Sequence, residues 1–153
     1  MQKIESFKVN HDTLEKGMYV SRMDGDVITY DIRMKLPNGG DYLTVNAAHT
    51  FEHLFATYAR NTEYGKEILY VGPMGCQTGF YLLTRDTLKK SDAIALVQAS
   101  MQFIRDYEGE IPGNTAKECG NYKAHDLLGA KMLGKDMYAV LENWTEKDLI
   151  YKE

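Results

Sequence analysis

His49 and His53 stand four positions apart with a carboxylate between them, in the order His49-Thr50-Phe51-Glu52-His53. On a helix, side chains at i and i+4 leave from one face a single turn apart, so both imidazoles can reach one ion. Glu52 lies about 100° around such a helix from His53 and about 60° from His49. It can stay beside an ion without being forced to bind it, the placement a general base needs. The order H-x-x-E-H is the inverse of the zincin motif. Two imidazoles do not close a metal site, and from spacing alone a solvated or core-satisfied histidine pair accounts for the motif as well as an ion does.

A third donor must come from elsewhere, and Cys119, Cys76, His11, His125 and any carboxylate are open candidates. Cys119 ends a loop at Glu118-Cys119-Gly120-Asn121, where backbone can approach an ion closely. Two imidazoles and one thiolate would leave a fourth position free, the pattern of a catalytic site. Cys76, between Gly75 and Gln77, reads either as a small buried hydrophobe or as a thiolate base or nucleophile favoured by a nearby cation. His125, six positions beyond Cys119, is expected to be structural, since only an unusual loop would carry it to the ion. Arg33 is either a solvated cation or a fork for a substrate carboxylate or hydroxyls. His11 is either a surface histidine or a substrate contact.

The elements that position these residues follow from periodicity. Ile28, Tyr30, Ile32, Met34 and Leu36 alternate with Thr29, Asp31, Arg33 and Lys35, which predicts a strand with one buried and one polar face. Met18 to Met23 is its hairpin partner across Asp24-Gly25, and Ser6 to Asn10 is read as a further strand. Asn46 is the expected N-cap of a helix running to Arg60-Asn61 that carries the histidine pair. Glu67 to Val71 and Thr78 to Thr84 are strands flanking a turn at Gly72-Pro73-Met74-Gly75. Ser91 is read as capping a helix with the stripe Ile94, Val97, Met101 and Ile104. A loop from Gly109 to Gly120 precedes a last helix over Asp126 to Asn143, which Gly129 and Gly134 weaken. The pattern predicts an α+β fold, a mostly antiparallel sheet packed against three to four helices, in one domain over residues 1–153.

Composition narrows the function. The chain has 153 residues, 44% hydrophobic and 26% charged, which fits one globular domain with a real core and argues against disorder. Its 18 Lys and Arg against 22 Asp and Glu give −4, so nucleic acid is not an expected partner. The 11 tyrosines, without a basic stripe, do not change that. The longest apolar runs, Ala93 to Val97 and Met137 to Leu141, fall far short of the roughly 20 residues a membrane span needs. The first residues, Met1-Gln2-Lys3-Ile4-Glu5, lack a signal-peptide stretch, so a cytoplasmic location with two free thiols is expected.

Five segments taken in order resemble the S-ribosylhomocysteine lyase (LuxS) family. They are Glu5-Ser6-Phe7 with His11; Asp31-Ile32-Arg33; His49 through His53; Gly72-Pro73-Met74-Gly75-Cys76-Gln77-Thr78-Gly79; and Cys119-Gly120. The resemblance implies that His49, His53 and Cys119 are metal ligands, that Glu52 and Cys76 are the acid/base pair, and that Ser6, His11 and Arg33 lie near the substrate. It implies a homodimer with active sites at the interface and one Fe2+ per subunit, replaceable by Zn2+ or Co2+. The implied reaction cleaves the thioether of S-ribosylhomocysteine without redox, by two carbonyl migrations through enediolates and β-elimination. The products are homocysteine and 4,5-dihydroxy-2,3-pentanedione, the precursor of autoinducer-2 in quorum sensing. One stretch departs from the pattern: many members carry an acidic residue and a serine before Pro73, where this chain has Tyr70-Val71-Gly72. That bears on how the amino-acid end of the substrate is held. The competing readings are an inverse-zincin peptidase, in which Glu52 activates water, and a non-catalytic metal-binding module, which would need neither Glu52 nor Cys76.

Overall fold

The computed structural model describes residues 1–152. After a one-turn helix α1 (Glu5–Lys8) come strands β1 (Gly17–Asp24) and β2 (Val27–Arg33) and helix α2 (Val45–Arg60). Strands β3 (Ile68–Pro73) and β4 (Gly79–Arg85) follow, then helices α3 (Lys90–Asp106) and α4 (Leu127–Leu141). Short 3-10 turns cover Gly65–Glu67 and Glu146–Leu149. The four strands form one antiparallel sheet in the order β1-β2-β4-β3. The α+β expectation holds.

The β1–β2 hairpin closes on the pair Asp24 and Val27, and Gly25 supplies the positive φ of its tight loop. One face of the sheet presents Met18, Ile28, Tyr30, Ile32, Phe80 and Leu82 to the core. Helix α2 lays Ala47, Thr50, Phe51, Leu54 and Phe55 into that core, the i, i+3, i+4 spacing of a buried stripe. Phe51 packs on Phe80 of β4 with ring centroids 4.9 Å apart, which locks the rotation of α2 about its axis. Because the stripe is fixed, His49 and His53 must emerge from the opposite side of the helix.

Helices α3 and α4 pack on each other and on α2. The expected stripe of α3, Ile94, Val97, Met101 and Ile104, is buried in full. Gly134, which weakens α4 as an isolated helix, is where α4 lies close against the backbone of α3. A Cβ there would lie 3.0 Å from the Met101 carbonyl oxygen and the Arg105 amide nitrogen.

Several boundaries differ from the sequence reading. Residues 6–10 do not form a strand; they begin in α1, whose Lys8 and Glu5 pair at 2.7 Å and which buries nothing. Periodicity alone did not separate a short helix from a strand here. Helix α2 is capped by Thr44, whose side chain accepts from the Ala47 N–H, rather than by Asn46. Helix α3 begins after Lys89, without a side-chain cap, rather than at Ser91. Asp126 caps α4, accepting from the Gly129 N–H. The long strand stops at Arg33, and Leu36 is exposed.

Since Phe51 anchors the helix that carries both histidines, Phe51→Ala is expected to cost about 3–5 kcal/mol. Urea denaturation followed by circular dichroism checks this.

Candidate metal centre

Both histidines of α2 are held by the loop between α3 and α4. His49 Nδ1 lies 2.8 Å from the Ala124 carbonyl oxygen and His53 Nδ1 lies 2.7 Å from the Pro112 carbonyl oxygen. A carbonyl only accepts, so each Nδ1 carries the proton and donates it, leaving each Nε2 with a bare lone pair. Gly113 takes φ 74°, and a Cβ there would lie 3.3 Å from His53 Nδ1, so this position supplies both the turn and the room for the ring.

Cys119, from the same loop, places Sγ 3.4 Å from His49 Nε2. A sulfur and a nitrogen sharing one tetrahedral ion at ordinary bond lengths lie about 3.5 Å apart, so this separation suits a common ligand sphere.

The structure also brings His125 into the group. One ring nitrogen each of His49, His53 and His125 lies within 4.8 Å of the others. The His125 ring stacks on His49 at 4.1 Å and 17°. Thr50 explains the placement. Its hydroxyl lies 3.2 Å from the Asn46 carbonyl, to which it donates, accepts from the Asp126 N–H at 2.9 Å, and lies 2.9 Å from His125 Nδ1. With the one hydroxyl proton spent on Asn46, His125 Nδ1 is the donor and its Nε2 is a lone pair. That Nε2 is buried and has no protein partner. Burial, and then the neighbouring His49 and His53, hold the ring below its ordinary basicity and keep it neutral. Three imidazoles with ring nitrogens this close, and a thiol 3.4 Å from one of them, offer donors that fit a divalent metal. The sequence reading kept His125 as structural. The loop nonetheless brings its ring beside His49, because the Asp126 N–H donates to Thr50 on α2.

Glu52 lies on the half-buried flank of α2 between two clefts. One, of about 590 Å³, is lined by Glu52, His53, Tyr70, Pro112, Gly113 and Glu118 among others. The other, of about 310 Å³, runs past His49 and Glu52 to Met74, Gly75 and Gln77. Cys76 therefore sits in the turn whose two neighbours line a cleft together with a histidine of the metal group and Glu52. Gln77 takes φ 64° to make that turn, closed by Gln77 N–H donating to the Met74 carbonyl at 3.0 Å. The Cys76 thiol is exposed and lies 3.1 Å from the Thr78 hydroxyl.

Arg33 is only 3% exposed. Its guanidinium grips Asp31 through Nε at 3.1 Å and a terminal nitrogen at 2.8 Å, while the other terminal nitrogen donates to Thr78 at 2.7 Å and lies 3.9 Å from Cys76 Sγ. Burial alone would lower its pKa, but the Asp31 hydrogen bonds and charge outweigh that and hold it above its ordinary value. The solvated-cation alternative for Arg33 is thus excluded. Ser6 lines a separate pocket of about 300 Å³ with Ser21, Arg22, Thr29, Tyr70 and Tyr81, and His11 spends its Nδ1 on the Val9 carbonyl at 2.8 Å.

Fold and site together define an α+β protein with a histidine-rich metal centre flanked by a carboxylate and a thiol. The profile of the S-Ribosylhomocysteinase (LuxS) family matches residues 4–148. The chain is 46% identical to the S-ribosylhomocysteine lyase of Clostridium acetobutylicum, with 100% of each chain covered. It is 47% identical to that of Phocaeicola vulgatus over 99% of this chain and 98% of the relative, and 44% identical to that of Finegoldia magna over 100% of each. The chain belongs to the S-ribosylhomocysteinase (LuxS) family. Full-length likeness to these proteins removes the reason to read the motif as a peptidase.

Thr50 ties both Asp126 and His125 to α2, so Thr50→Val is expected to weaken metal binding by about 10–100-fold. Competition with a chromophoric chelator measures it.

Proposed function

We propose that the whole chain is one S-ribosylhomocysteine lyase domain that cleaves the thioether of S-ribosylhomocysteine to homocysteine and 4,5-dihydroxy-2,3-pentanedione. The observation that carries this reading is the meeting of two bare imidazole nitrogens, a thiol 3.4 Å from one of them and a carboxylate on the same helix, in a chain whose relatives carry that name over their full length.

His49, His53 and Cys119 are read as the ligands, with His125 stacked behind His49 as its support. Three ligands keep a position open for a sugar oxygen, whereas four protein donors would close the site. Imidazole and thiolate donors suit Fe2+, Zn2+ and Co2+, and Fe2+ is our assignment, one ion per subunit. A bound ion supplies Lewis acidity, polarising a sugar carbonyl without changing oxidation state.

The chain's own groups move the protons. Cys76, as the thiolate, takes the proton from the carbon beside the carbonyl and returns it to the neighbouring carbon. Glu52 carries a proton between the two sugar oxygens, so the carbonyl migrates one position. After a second migration the carbon α to the new carbonyl loses its proton and the carbon–sulfur bond breaks. The electron pair leaves with sulfur, as homocysteine. Arg33 is placed to keep positive charge beside Cys76, and Ser6 and His11 are assigned to the substrate.

A homodimer with shared sites is part of the reading. Helices α2 and α4 pack on one face of the sheet, while on the opposite, uncovered face Tyr70 remains exposed, as do Ile4 and Phe7 at α1. Ser6 lies in a pocket of that uncovered face, where a second copy could complete it. No helix among the described residues is long and apolar enough to cross a membrane, and the two free thiols suit the cytoplasm, where we place the protein.

Release of free thiol from S-ribosylhomocysteine tests the assignment. Cys76→Ala and Glu52→Gln are each expected to lower turnover by about 10²–10⁴-fold while keeping full metal content. In the Co2+-substituted protein, the thiolate charge-transfer band should vanish in Cys119→Ala and survive in His125→Ala. Absence of that band from the wild-type Co2+ protein, with metal lost in His125→Ala, would make His125 the third ligand.

A further inference from the structure

Tyr151 lies beyond residue 148, where the match to the family profile stops, yet its side chain reaches the group beside Cys76. The Tyr151 hydroxyl donates to Asp31 Oδ2 at 2.7 Å, across 120 positions of sequence. Oδ2 is the oxygen that also receives the Arg33 terminal nitrogen.

From there a chain of hydrogen bonds runs to the thiol. Arg33 grips Asp31 with two nitrogens and turns the third toward the Cys76 turn, donating to Thr78 Oγ1 at 2.7 Å. Because Thr78 Oγ1 accepts that bond, its own proton is free to donate to Cys76 Sγ, 3.1 Å away. The phenol is held well above its ordinary range, first by burial and then by the Asp31 charge, so it is a permanent donor. Tyr81, facing Asp31 from β4, is raised for the same two reasons and adds no negative charge.

Tyr151 is itself fixed. Its ring stacks on Tyr19 at 4.9 Å and 25°, Leu149 before it is buried, and Lys152 after it pairs with Glu15 at 3.1 Å. A capping box between Thr145 and Asp148 sets the turn that leads there.

We infer that Tyr151 is a positioning residue for the Cys76 thiol, acting through Asp31, Arg33 and Thr78; this rests on the reading of Cys76 as a proton-transfer group. By occupying a lone pair of Asp31, the phenol offsets part of the carboxylate's pull on the guanidinium. The free corner of Arg33 then stays extended toward Thr78 and keeps positive charge on the sulfur side. Without the phenol, a buried carboxylate oxygen loses a partner and draws Arg33 back.

The test compares Tyr151→Phe with wild type as the metal-loaded protein. Iodoacetamide alkylation of Cys76 at one fixed pH, followed by peptide mass, is expected to slow about threefold to tenfold. The kcat should fall by a similar factor, with KM and metal content unchanged. Thr78→Val, which cuts the last link and leaves the Tyr151 segment untouched, should slow Cys76 alkylation likewise. Wild-type alkylation of Cys76 in Tyr151→Phe overturns the inference, as does a loss matched at Cys119, which would mark general loosening. Full turnover by Cys76→Ala would instead overturn the role of Cys76, while the alkylation arm still decides whether Tyr151 acts on the thiol.

Discussion

The site depends on where three imidazole protons go. Ala124 and Pro112 take the Nδ1 protons of His49 and His53 on their carbonyls, and the Thr50 hydroxyl takes that of His125. Each acceptor fixes both the tautomer and the direction of its ring, and together they gather three rings whose nitrogens lie within 4.8 Å of one another. Two of the acceptors are backbone atoms of the α3–α4 loop, so the ligand geometry is only as good as the seating of that loop. Thr50 provides the seat: one hydroxyl joins α2, the start of α4 and His125.

A second polar cluster stands beside the sheet. Asp31 and Arg33 are 2% and 3% exposed, and a buried ion pair of this kind contributes little net stability because desolvating both partners costs about as much as their attraction returns. Its value here is positional. The bidentate grip leaves one guanidinium corner free, and the pairing of β2 with β4 carries that corner to the turn holding Cys76. The metal group thus rests on a helix and loop, and the thiol on a strand-to-strand turn. The Phe51–Phe80 contact, which joins α2 to β4, keeps the two supports in register.

This division suits proton transfer at a polarised carbonyl. A group that must stay still, the ligand set, is tied by backbone acceptors. The group proposed to exchange protons, the exposed thiol of Cys76, is held more lightly by Thr78 and by the positive charge behind it. Glu52, on the same helix as His49 and His53 but turned toward the clefts, can exchange protons without leaving its place.

Local chemistry wrote much of this into the sequence. The i, i+4 histidines, the alternation of Ile28, Tyr30 and Ile32 and the apolar stripe of α3 depend on near neighbours and on helix or strand period, and these were legible. So was the family likeness, carried by short segments. Other features were settled only by long-range packing. Residues 6–10 read as a strand because a short apolar alternation does not by itself tell strand from helix; the chain begins α1 there, and among the described residues the sheet has no fifth strand. Arg33, on a polar strand face, read as either a solvated cation or a substrate fork; Asp31, Thr78 and Tyr151, from three different parts of the chain, bury that face and exclude the first. His125 read as structural because its partners, Thr50 and His49, lie some 75 positions away. A sequence displays which groups can donate, accept or bind an ion; which of them share one small volume is decided by the loop crossing and helix contacts that only the folded chain contains.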